Sequence, residues 1–76
     1  MADVFWRGQK LPPLREGNVW LMQIYPGGRT IVVQHKSHYA MYVGHAVSRL
    51  LDGHMVFVWL DDAEETIRQW NARKAE

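Results

Sequence analysis

Four histidines, His35, His38, His45 and His54, are the side chains here best suited to hold a soft metal or move a proton. His35 and His38 stand three residues apart. His38 and His45 stand seven apart, on one face if that segment is helical. A zinc site needs three or four converging ligands. The chain has no cysteine to supply a thiolate and no His-Glu-x-x-His. The acids nearest the histidines are isolated or belong to a helix start, so no metal and no cofactor are expected.

Nucleophilic and acid–base chemistry fare no better. Ser48 follows His45 by three residues, but no acid is placed to orient the imidazole and no Gly-x-Ser-x-Gly elbow is present. Asp61 and Asp62 resemble a carboxylate pair, yet adjacent acids before a helix are better explained by capping. Gly27-Gly28 joins two strand-like runs and lacks the Gly-Lys-Ser/Thr of a phosphate loop. The expectation is a protein that is not an enzyme and takes no small-molecule substrate.

Nucleic acid is the stronger alternative. Arg29, His35, Lys36 and His38 lie on or beside one hairpin, and aromatic residues interleave with them. A sheet displaying aromatic rings can stack bases. Against this, the pI of 8.2 is below the ~9 usual for such domains. The charge falls from about +2 over residues 18–53 to about −2 over residues 54–76.

The elements that must position these groups belong to a chain of 76 residues, 47% hydrophobic and 22% charged, which excludes disorder as the ground state. A domain of this size buries only roughly 60% of its unfolded surface, so its core must be dense. No apolar run is long enough to span a bilayer, and the N-terminus lacks the pattern of a signal peptide. A soluble, cytoplasmic protein is expected. Its small size also suits a phage or mobile-element product.

Residues 1–17 read as an N-terminal arm, with a short strand at Val4-Phe5-Trp6, a turn at Arg7-Gly8 and an extended Pro12-Pro13 step. Its Phe5, Trp6, Leu11 and Leu14 are too apolar for a free tail. Residues 18–76 form a single domain. Runs rich in β-branched and aromatic residues predict strands near 18–25 and 30–36. Pro26 and Gly27 between them suit a type II turn with positive φ at Gly27. Tyr39, Val43, Ala46, Val47 and Leu50 recur at helical spacing and predict a helix over 38–52, capped by Ser37 and stopped by Gly53; Tyr39–Val43 is alternatively a strand. Residues 54–60 read as a strand. Asp61 and Glu64 form a capping box for a last helix with Ala63, Ile67 and Trp70 on its apolar stripe and a Glu64–Arg68 pair outside.

The order ββαβα predicts an α+β two-layer sandwich: an antiparallel hairpin plus a third strand, with two helices on one face. The third strand fits beside the second strand or, antiparallel, beside the first. Neither the first nor the third strand alternates apolar with polar, so both sheet faces want cover. The aliphatic Val19 and Leu21, with Val56, Val58 and Leu60, suit the side beneath the helices. That leaves Trp20, Met22, Ile24, Met55, Phe57 and Trp59 as one aromatic and methionine-rich face, the residue types interfaces enrich. Either the arm folds over this face or another chain does. The functional expectation is a small protein-binding module, a regulator, inhibitor or accessory subunit, with a protein or a second copy of itself as partner.

Overall fold

A computed structural model describes residues 5–38, 43 and 46–75. Its elements are β1 (Phe5–Trp6), β2 (Gln9–Lys10), β3 (Asn18–Ile24), β4 (Thr30–Lys36), α1 (Ala46–Leu51), β5 (Val56–Trp59) and α2 (Ala63–Lys74), with a 3-10 turn at Leu60–Asp62. The architecture is mixed α+β, as the sequence pattern predicts. β1 and β2 form a separate two-stranded ribbon, and the main sheet has the order β4-β3-β5 with both pairings antiparallel. Of the two places open to the third strand, it takes the one beside the first strand of the hairpin.

The β3–β4 hairpin lies where the β-branched runs put it, but its turn is of another kind. Tyr25 donates to the Arg29 carbonyl, and Gly28 donates to the Tyr25 carbonyl. Positive φ falls on Gly28, at +98°, and not on Gly27. The turn is a three-residue loop whose last residue is left-handed, not the predicted type II turn. Right-handed strand twist favours such loops, which outweighs the Pro-Gly preference for type II.

Among the described residues, the predicted helix over 38–52 is present at Ala46–Leu51. Ser37 and His38 lie in a 3-10 turn, Val43 is irregular, and α1 begins at Ala46. Ser37, nine residues before Ala46, does not cap α1; residues 39–42, 44 and 45, with the strand alternative there, lie outside the described residues. The stop is as predicted: Gly53 donates to the Leu50 carbonyl and His54 to that of Arg49, closing the helix with a paired C-terminal motif.

α2 also starts later than predicted. Leu60–Asp62 tighten into a 3-10 turn, Asp62 takes the N-cap position, and its side chain makes no capping hydrogen bond. The predicted Asp61–Glu64 capping box therefore does not form. The acids act instead through the positive end of the helix, with Glu64 and Glu65 in the first turn. Arg68 binds Glu65, not Glu64, while Glu64 meets Arg7 of the arm at 3.4 Å. This pairing lowers the Glu65 pKa and raises that of Arg68, in both cases chiefly through the hydrogen bond between them.

The core gathers Met22 and Ile24 of β3, Val56 and Val58 of β5, Leu50 of α1, and Ala63 and Trp70 of α2. Ile67 of the predicted stripe packs against it, and the Lys74 ammonium lies 4.4 Å from the Trp70 ring centre, where stem and charge both cover the indole. The arm is part of this packing. Trp6 lies against the core and Leu11 is buried. The chain from Pro13 to Arg15 is tied to β4 through one side chain: Gln34 donates to the Pro13 carbonyl and accepts from the Arg15 amide, both at 2.8 Å.

Candidate functional site

Directly opposed residues of antiparallel strands project to the same side, so the register decides which residues share a face. Met22 faces Val58 and Ile24 faces Val56, and all four lie under the helices. Leu21 faces Trp59 and Gln23 faces Phe57. The predicted face is therefore divided. Trp20, Met22 and Ile24 belong to the helix side, while Phe57 and Trp59 belong to the other; Met55 precedes β5 and is half-buried. Met22 and Ile24 are fully buried and form core, not surface. The physical reason is that β3 and β5 are each apolar on both sides, and shifting their pairing by one residue exchanges the faces.

Among the described residues the arm divides, with Leu14 lining a cleft beside Val19 and Trp59. Trp6 packs on the helix-side core, and Gln34, which holds the arm, lies opposite Trp20 on that same side. There the arm borders a cleft lined by Pro12, Pro13, Trp20 and Val32. Trp20 Nε1 and Asn18 Oδ1 lie buried near it without hydrogen-bond partners among the described residues. Both are shut off from solvent, and the polar groups the cleft does present are those of Arg15 and Gln34, which already hold the arm to β4.

The face away from the helices is built in three rows across β4, β3 and β5. Ile31, Gln23 and Phe57 form one, Val33, Leu21 and Trp59 the next, and His35 beside Val19 the last. It carries no Lys, Arg, Asp or Glu. The centre, Leu21, has no solvent exposure. Among the described residues one ring contact spans this face. The rings of His35 and Phe57, rooted on strands flanking β3, meet edge-on with centres 4.9 Å apart. Leu21 sits midway between their backbone positions, and the right-handed twist of the sheet shortens that diagonal. Around this closed centre Ile31 is 39% and Trp59 38% exposed.

The residues considered for nucleic acid do not converge. Arg29 lies at the hairpin turn with its guanidinium 4.3 Å from the Tyr25 ring centre, and Lys36 ends β4, roughly 20 Å away along the strand. His35 is engaged on the sheet face and His38 is exposed in the following turn. Among the described residues no three potential metal ligands cluster, and no helix is long and apolar enough to cross a membrane. Ser48 is exposed on α1, and His45, its considered partner, lies outside the described residues.

Sequence reasoning missed Val19, Gln23, Ile31 and Val33 as members of the bare face. The signal was present in the hairpin: once Ile24 is paired with Thr30, Val33 must face Leu21 and Ile31 must face Gln23. No protein-family model, curated protein or solved structure matches the chain.

Proposed function

We propose that this domain is a non-enzymatic protein-binding module, a regulator, inhibitor or accessory subunit, that engages an apolar segment of its partner with the face of β3, β4 and β5 turned away from the helices. One observation carries the reading: that face exposes Trp59 and Ile31, and the strand residues of its three rows carry no formal charge. Charge depletion with an accessible aromatic residue is the composition of an interface core. The same absence of charge weighs against nucleic acid, whose binding rests on basic groups that meet phosphates.

Capture experiments from cells of its source separate the two readings. Trp59→Asp places a hydrated carboxylate on the face, leaving the melt near wild type while a captured protein is lost. Arg29→Ala with Lys36→Ala leaves that capture intact, as do nuclease treatment and raised salt. Met22→Asp serves as the contrasting variant: it buries an unpaired carboxylate and unfolds a domain holding only ~5 kcal/mol. Capture that vanishes with nuclease, or survives Trp59→Asp, defeats the proposal.

A further inference from the structure

β4 is an edge strand seven residues long, and its free side follows from two main-chain hydrogen bonds. Tyr25 donates to Arg29 at one end of the ladder and Ser37 donates to Gly17 at the other. In an antiparallel ladder every second residue turns its N–H and C=O toward the neighbour. Ile31, Val33 and His35 therefore bond inward to β3. Thr30, Val32, Gln34 and Lys36 turn theirs outward. Among the described residues none of these outward groups has a main-chain partner, and the arm reaches β4 through the Gln34 side chain alone. Nor is the edge guarded by the usual devices. It has no proline, no bulge and one charge at its very end, whereas the opposite edge, β5, is only four residues long and lies against both helices.

From this edge we infer that two copies of the chain pair through β4, antiparallel about a two-fold axis at Val33, joining two three-stranded sheets into one of six strands. This axis alone lets all seven residues pair. Thr30 then opposes Lys36 of the second copy and Val32 opposes its Gln34, so that every outward group meets an outward group. Val33 meets its own copy as a non-hydrogen-bonded pair, where side chains approach most closely. The faces match as well. Ile31, Val33 and His35 all lie on the bare side, and their opposites in the second copy are His35, Val33 and Ile31. No like charges are opposed, because Lys36 meets Thr30; an axis moved to His35 would set imidazole against imidazole and leave Thr30, Ile31, Val32 and Val33 without strand partners. The interface is isologous, as a two-fold dimer requires. One strand edge buries less than the ~1,200 Å² of a standard interface, so the pair is reversible.

This inference concerns the strand edge and stands apart from the binding proposed for the sheet face. Sedimentation velocity on the full chain, with concentration raised to ~1 mM, shows the mass doubling. Synthetic chain carrying an N-methyl group on the Gln34 amide keeps every side chain and every bond to β3, and its Kd rises by more than about tenfold with the monomer melt unchanged. Should that variant fail to fold, a charge exchange decides: Val33→Lys and Val33→Glu are each monomeric, and their equimolar mixture regains the dimer. A wild-type chain that stays monomeric, a dimer indifferent to N-methylation, which would mark stacking of the sheet faces, or a mixture that does not associate overturns the inference.

Discussion

The adjacent glycines of the β3–β4 turn have different duties, although the sequence presents them as equivalent. Gly28 holds φ at +98°, where a Cβ is strained, whereas Gly27 does not, and a Cβ built on either meets nothing within 4 Å. Gly28→Val therefore destabilises by about 1–2 kcal/mol through backbone strain, and Gly27→Val costs under ~1 kcal/mol. Paired urea titrations check this; equal losses at the two sites would mean that the loop rearranges. Proline followed by glycine correctly marks a turn, but the loop's left-handed position depends on how many residues separate the last paired ones. That count was not available until Ile24 and Thr30 were known to be partners.

Elements were legible where a local pattern had one interpretation. The strands, the stripe of Ala63, Ile67 and Trp70, and the closure of α1 at Gly53 each arise from interactions spanning a few residues, and all are present. What failed was the relation between elements. β3 is separated from β5 by more than thirty residues, and Val19–Ile24 and Val56–Trp59 are apolar on both sides. Nothing local then says whether Met22 meets Val58 or Phe57, and the alternatives differ by exchanging core for surface. The acids before α2 illustrate a milder version. Asp61, Asp62, Glu64 and Glu65 all favour a helix start, but Glu64 meets Arg7 of the arm and Glu65 binds Arg68, three residues on. The Glu65 carboxyl consequently titrates below an ordinary glutamate. Because its folded pKa is depressed, its contribution to stability is present at neutral pH and is lost as pH falls through the lowered midpoint. Carboxyl-detected NMR titration finds this midpoint below that of an ordinary glutamate, and Arg68→Ala raises it; an unchanged midpoint in that variant would assign the shift to other groups.

At the scale of the whole molecule, the arm is where the boundary between accessory segment and domain gives way. Its apolar content signals that it packs, and it does, with Trp6 against the helix-side core and Leu11 buried. A domain of this size has little core to spare, so packing Trp6 against the core and burying Leu11 contribute to its stability. Two leucines three residues apart measure this. Leu11 is 6% exposed and Leu14 is 43% exposed. Leu11→Ala removes buried methyl groups and leaves a cavity, a loss of ~2–4 kcal/mol. In a domain of about this length each kcal/mol moves Tm by roughly 4–8 °C, so the melt falls by ~10 °C or more. Leu14→Ala stays within about 0.5 kcal/mol of wild type, as substitutions at exposed sites do. If the two variants melt together, the arm is a detachable tail and the folding unit is the segment after residue 17; if only Leu11→Ala collapses the melt, arm and sheet fold as one unit.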